Sequence, residues 1–290
     1  MPPTPSGLAS HVESWSPAPV TEDDVLSPAP AAALSALLDV PETAVRAGDA
    51  LPPLWHWLYF LGAPAQRELG EDGHPRHGHF LPPVPDRQRM FAGGRCEVRE
   101  PLIVGEPVQR ISGLATVTAK RGGTGELLFV TVRAEYLQAG RTRVVEEQDI
   151  VYRSGRAAGA HPAALDPLAE PLAEETWLLP LQPDPTLLFR FSALTANAHR
   201  IHYDAPYARE AEGYPGLVVH GPLLVLAMLE PLRREAPARQ VRSVSYRLRR
   251  PAFAGERLLV AGSPTGDGGA ALRVATHREE RHATAEVTFA

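Results

Sequence analysis

Cysteine and lysine are nearly missing from this chain: Cys96 and Lys120 are the only ones in 290 residues. A single cysteine forms no internal disulfide and builds no cysteine-rich zinc site. With no activating histidine or helix start near it in the sequence, Cys96 reads as a buried thiol rather than a nucleophile. A single lysine confines any Schiff-base chemistry to Lys120. No uninterrupted apolar run is long enough to span a bilayer. The first thirty residues carry Pro, Ser and acids instead of a basic start and an apolar stretch, so no secretory signal is read there. An excess of positive charge is also absent, since 29 Lys+Arg stand against 34 Asp+Glu for a formal net charge of -5. That balance gives no electrostatic footprint for nucleic acid. Gly93-Gly94 and Gly122-Gly123 do not form a GxGxxG between strand and helix, which leaves a dinucleotide-dependent oxidoreductase without support. These absences point to a cytoplasmic protein with neither a nucleic-acid nor a membrane partner.

What is present suits folded cores. Hydrophobic residues make up 44% of the chain, and the length fits two modest domains. Residues 1–30 read as a flexible tail. Residues 31–153 form a first domain: a helical pattern from Ala31 to about Leu38, then an aromatic segment, Leu51–Gly62, read as a core helix. Four strands follow, at 96–104, 107–120, 125–138 and 141–153, separated by turn signals at Gly105, Gly122-Gly123 and Ala139-Gly140. Residues 154–180 lose periodicity and read as a linker. Residues 181–290 form the second domain. Leu187–Leu194 reads as a strand, and Asp204 as the N-cap of a short helix to Glu212 with Pro206 in its first turn. Val218–Arg234 is apolar on nearly all sides and reads as a buried helix. Strands at 240–249, 256–263, 269–278 and 281–289 close the chain. Each half is thus α+β, an antiparallel sheet around a helix, and only the order of elements repeats.

Chemistry concentrates in Ser192–Asp204 (SALTANAHRIHYD), which packs Thr195, Asn197, His199, Arg200, His202 and Asp204 between apolar elements. Polar groups so placed need partners or a task. Gly216 and Gly221 bracket the start of the apolar helix, whose first N–H groups are free to hold a developing oxyanion. A histidine cluster in the first half, His74, His77 and His79 (GHPRHGH), has no evident carboxylate or thiol partner, so no metal site is inferred.

Phe191–Ala208 and Tyr214–Leu224 (YPGLVVHGPLL) resemble the signature of the MaoC-like, (R)-specific enoyl-CoA hydratases. The likeness is to the two-hot-dog subgroup of type-2 hydroxyacyl-thioester dehydratases and mesaconyl-CoA hydratases. Trp55–Leu61, His79–Pro83, Arg89–Arg95 and Glu146–Arg153 resemble that subgroup's first half. The resemblance implies a tandem, double hot-dog fold and reversible hydration of an enoyl-thioester, with no cofactor and no metal. It implies His202 as the catalytic histidine and the Gly221 amide as the oxyanion donor. Asn197 falls where the wider family has its Asp, and His199 where it has its Asn. An amide cannot take a proton as a carboxylate can, so the acid–base load falls on His202, with Asn197 orienting water or substrate. The first half is then left to shape the acyl pocket.

Arg200, Tyr203, Arg247 and Arg249 are candidates for holding CoA phosphates or a free carboxylate of the acyl chain. The expected partner is an acyl-CoA or acyl-carrier-protein thioester, and an assembly of like chains is compatible with the fold. Two other functions fit the same fold, because fold alone does not decide function. One is an acyl-CoA thioesterase, which would release free thiol; the other is a non-catalytic acyl-CoA-binding protein.

Overall fold

The computed structural model describes residues 7–40, 45–85, 87–122, 125–154, 165–266 and 268–290. In chain order the elements are β1 (Val20–Val25), α1 (Pro28–Leu37), β2 (Arg87–Val98), β3 (Pro107–Gly122), β4 (Gly125–Gln138) and β5 (Arg141–Ser154). The second half contributes β6 (Trp177–Leu181), α2 (Pro185–Leu194), α3 (Gly221–Glu235), β7 (Val241–Leu248), β8 (Leu258–Pro264), β9 (Ala270–Thr276) and β10 (Glu279–Phe289). All ten strands join one sheet in the order β1-β3-β4-β5-β2-β7-β10-β9-β8-β6. The halves are fused at its centre, where β2 pairs antiparallel with β7 from Gly93↔Arg247 to Glu97↔Ser243. The fold is the double hot-dog of the sequence reading.

The buried helix is α3. Every residue from Leu223 to Leu232 is buried, and each Leu, Val or Met among them contributes about 2 kcal/mol of apolar burial. Pro222 lies in its first turn and Pro231 inside it, without stopping it before Glu235. Arg233 and Arg234 complement its C-terminal end.

Five expectations change. The strand expected at 96–104 lies earlier, as β2 over Arg87–Val98. The tail at 1–30 contains β1, which pairs with β3 from Val20↔Ser112 to Val25↔Pro107; residues 1–6 lie outside the described set. The linker 154–180 ends in β6, which pairs with β8, while residues 155–164 of that stretch are also outside the described set. Leu51–Gly62 is no helix: only Trp55–Leu58 turns, as a 3-10 helix entered through Leu54 at φ 67. Leu54 and Phe60 take left-handed backbone, at φ 67 and φ 56, and so bound the turn on both sides, and α1 supplies the helix of that half. Leu187–Leu194 is a helix, not a strand. Its apolar residues satisfy period two and period 3.6 alike, and the end decides between them. Asp184 Oδ1 accepts from the Leu187 N–H at 2.7 Å, with Pro185 at the first helical position. Leu188, Phe191 and Ser192 then share the buried face.

Candidate active site

The polar segment begins where α2 stops. Asn197 N–H bonds to Ser192 O at 2.9 Å and Ala196 N–H to Ala193 O at 3.4 Å, the paired bonds of a Schellman turn. Ala196 takes the left-handed position at φ 49, usually given to glycine. The turn throws the chain back across the helix end. Asn197 Oδ1 then accepts the His199 N–H at 3.0 Å, which anchors the amide oxygen to the loop and leaves its NH2 to offer a substrate. One 3-10 turn, Arg200–His202, completes the segment.

His202 is fixed from the other side. Val218 N–H bonds to Ile201 O at 2.9 Å, and His202 Nδ1 lies 2.7 Å from Val218 O. A carbonyl only accepts, so Nδ1 carries the proton and Nε2 keeps its lone pair. Two residues on, His220 is the N-cap of α3. Its ring stacks on that of His202, with centroids 3.7 Å apart and planes at 19°. His220 Nε2 meets Ser192 Oγ at 2.8 Å, and its Nδ1 is buried without a hydrogen-bond partner. Gly221 begins α3, and its N–H is one of the helix's unshared donors. A Cβ there would stand 2.5 Å from Leu248 Cδ1 and 3.6 Å from Phe91 Cδ1, so β7 and β2 close in on that amide.

The row continues the other way. His199 lies edge-on to His202 at 5.5 Å between centroids, and His74, from the first half, overlies His199 at 4.0 Å. Asp72 Oδ2 is 2.9 Å from His74 Nδ1. Burial pushes the pKa of His202 down to about 3; the Val218 carbonyl opposes this and the imidazoles of His199 and His74 add to it. Burial and His74 bring His199 to about 3, and burial and His202 bring His220 to about 2. These three rings are neutral at neutral pH. Burial raises the Asp72 carboxyl, but its hydrogen bond to His74 and that imidazole's charge outweigh it, leaving the pKa at about 2.

Among the described residues, Asp72, His74 and His199 bring donor atoms within 4.8 Å of one another, close enough to share a cation. Imidazole lone pairs lie in the ring planes, and the planes of His74 and His199 overlie at 37° instead of aiming at one point. The arrangement suits a carboxylate–imidazole couple better than a metal.

His202, His199, Asn197 and the start of α3 at Gly221 are thus brought together. The expected substrate contacts are not. Arg200 is held in an ion pair with Asp204 at 2.8 Å and lies over the Tyr207 ring at 4.1 Å. Tyr203 donates its hydroxyl to Ala198 O at 2.9 Å. Leu248 points at Gly221, so strand alternation turns Arg247 to the opposite sheet face, and exposed Arg249 follows in the turn. Instead, Arg89 on β2 lies close enough for its charge to lower the pKa of His199. In the sequence Ser192 stood out only as the start of the polar segment, and His220 and Asp72 were passed over. The signals were a histidine directly before Gly221 and an Asp two residues before His74, a spacing that lets a carboxylate reach both backbone and ring.

Comparison with known proteins shows the family. The family model for hydroxyacyl-thioester dehydratase type 2 matches residues 54–254. The chain is 46% identical over 246 residues to mesaconyl-C(4)-CoA hydratase of Chloroflexus aurantiacus, covering 85% of this chain and 86% of that protein. It is 29% identical over 279 residues to the mitochondrial hydroxyacyl-thioester dehydratase type 2 of Schizosaccharomyces pombe, covering 86% and 92%. A MaoC-like dehydratase structure from Phytophthora capsici superposes with a TM-score of 0.66 at 15% identity, covering 95% of this chain and 96% of that one. The chain belongs to the type 2 hydroxyacyl-thioester dehydratase family and is a hydro-lyase acting on acyl-thioesters.

Proposed function

We propose that this enzyme hydrates a branched, dicarboxylic enoyl-CoA of the mesaconyl type, and dehydrates the corresponding hydroxyacyl-CoA. One observation carries the chemistry: the His202 ring, with a free Nε2 lone pair, stacks on the residue that caps α3, one position before the Gly221 amide. A proton acceptor and a free backbone donor are thereby adjacent, as enolate chemistry requires. In hydration the thioester oxygen takes the Gly221 N–H, and His202 Nε2 takes a proton from water as its oxygen adds to the β-carbon. The positive end of the α3 dipole favours the negative charge that develops on the thioester oxygen. The Asn197 NH2 is assigned to the substrate or the water.

The substrate class rests on the 46% identity to a mesaconyl-C(4)-CoA hydratase. Arg89, whose field reaches His199, is assigned the free carboxylate of the acyl chain. The pocket wall is assigned to aromatic side chains of both halves. Trp57 and Phe91 from the first meet Tyr246 from the second, edge-on at 5.6 Å for Trp57 and tilted at 5.9 Å for Phe91. Trp57 Nε1 donates to the buried Glu146 at 2.6 Å, which fixes the wall's shape. We place the reaction in the cytoplasm, on a single cysteine that is buried and has no intrachain partner.

The test offers crotonyl-, longer enoyl- and mesaconyl-CoA to the protein and follows enoyl absorbance together with free thiol. Loss of the double bond without thiol release, fastest for mesaconyl-CoA, is the expected result. Thiol release would mean thioester hydrolysis, and binding without turnover a carrier.

A further inference from the structure

The loop from Glu71 to His74 belongs to the first half, yet its backbone also bonds to the second. Asp72 O accepts the Arg200 N–H at 2.8 Å, and Glu71 O accepts from the Arg200 guanidinium at 3.1 Å. Next to them Gly73 sits at φ +89, where a Cβ would stand 1.8 Å from the Ala198 carbonyl oxygen. Backbone rests on backbone here, and glycine alone allows it. This docking lays His74 over His199, while Asp72 grips His74 twice, Oδ1 on its backbone N–H and Oδ2 on Nδ1, each at 2.9 Å. Asp72 is ionised and accepts, so His74 Nδ1 carries a proton and Nε2 is the ring's exchangeable atom. A histidine oriented and charge-compensated by a carboxylate is a common general acid–base device. Among the described residues, no carboxylate is hydrogen-bonded to the rings of His199, His202 or His220.

We propose that Asp72 and His74 are the second acid–base pair of this active site, contributed by the first half in place of the carboxylate that Asn197 does not provide. The proposal rests on the hydro-lyase reading above. In hydration, an O–H bond of water breaks, its proton goes to His202 Nε2 and its oxygen bonds the β-carbon. The C=C pair moves toward the thioester, giving an enolate whose oxygen accepts the Gly221 N–H. His74, protonated from solvent through a side chain that is 24% exposed, gives its Nε2 proton to the α-carbon. The enolate pair forms the C–H bond and the carbonyl returns. The proton on His202 then passes through water to His74 Nε2, which restores both rings. One water is added, and nothing is oxidised or reduced. The direction of the transfer is physical: an imidazolium at 74 has an anion beside it, and one at 202 has none.

The experiment compares hydration of crotonyl- and mesaconyl-CoA with α-hydrogen exchange of 3-hydroxybutyryl-CoA in D2O. It uses His74→Ala, His74→Asn (should alanine not fold), Asp72→Asn and His202→Gln. The expected result is that His74→Ala loses both hydration and exchange at least tenfold, consistent with removal of an acid–base group, and regains both with added imidazole. Asp72→Asn falls less, and His202→Gln loses hydration while keeping exchange. Wild-type hydration and exchange in His74→Ala would overturn the pair. So would a His74 variant whose hydration falls with exchange intact, since that marks a merely structural role. If His202→Gln stays fully active while His74→Ala does not, the His202 assignment fails and this pair stands. An unsubstituted chain inert toward every thioester would sink both.

Discussion

The rings of His202 and His220 lie 3.7 Å apart and nearly parallel, although the two residues belong to different elements. As neutral imidazoles they pack like any pair of aromatic rings. As two cations they would repel at close range in a site that burial has dried. The stack therefore tolerates at most one proton beyond neutrality, and acidification should act on it first.

Stability should fall as pH drops below about 6.5, the unfolded histidine pKa. Folded values are about 3 for His202 and His199 and about 2 for His220, so between these limits the unfolded chain binds more protons than the native one. Each group then removes up to about 1.4 kcal/mol per pH unit. Asp72, lowered to about 2, adds a loss of the same sign only below its ordinary range near 4. The check is the melting temperature from pH 7.5 to 5: a flat profile would contradict the neutral-stack account. The decline should be shallower in His202→Gln.

Replacing His202 by Gln should lower kcat about 10²- to 10⁴-fold, the usual weight of a general acid–base group. Circular dichroism should show the fold retained, because Gln can still donate to Val218 O. Near-wild-type turnover would remove His202 from the chemistry.

Ser192→Ala leaves His220 with both nitrogens buried and neither hydrogen-bonded within the described site. The expected cost is about 1–3 kcal/mol, the penalty of an unsatisfied buried polar group. Urea unfolding of the two chains measures it; no change in midpoint would mean that Ser192 does not hold the ring.

Gly73→Ala should be the more damaging of two small changes in the docking loop. Its Cβ would meet a backbone carbonyl at a positive φ, a combination that strains the backbone by about 1–3 kcal/mol. The loop should lift from Ala198 and turnover should drop, whereas Gly70→Ala, with nearest neighbours at 3.0 Å and beyond, should do less. Comparable kinetics for the two variants would count against the docking contact.

Glu146 Oε2 and His56 Nε2 meet at 2.9 Å, with each side chain 2% exposed. Burial raises the Glu146 pKa, but His56, Gln148 and Trp57 outweigh it and hold the carboxyl below its usual range. Glu146→Ala removes one partner and leaves the others buried, which should cost about 3–5 kcal/mol. Glu146→Gln should cost less. Denaturant titration distinguishes them, and equal midpoints for both variants and the parent would refute the buried pairing.

The antiparallel strands β3 to β5 and β7 to β10 were legible because alternation and turn residues act locally, whereas β2 was placed at 96–104 instead of Arg87–Val98. So was α3, whose apolar run left no other place for it than a core. Leu187–Leu194 was not, since a run of mixed apolar residues fits two periods and the Asp184–Pro185 start decides. β1 was invisible because its acidic residues gain a partner only when β3 arrives beside it.

The sequence alone determined the chemistry available: His202 in an ordered polar segment, an amide at Asn197 where a proton carrier was expected, and a glycine at the start of a buried helix. Only the tertiary structure decided what those groups face. Folding stacks His220 on His202, turns Arg200 and Arg247 away, and brings Asp72 and His74 across from the other half. The spacing of Asp72 and His74 from His199 along the chain carries no trace of their contact, because it is made by backbone packing at Gly73 once the two halves share one sheet.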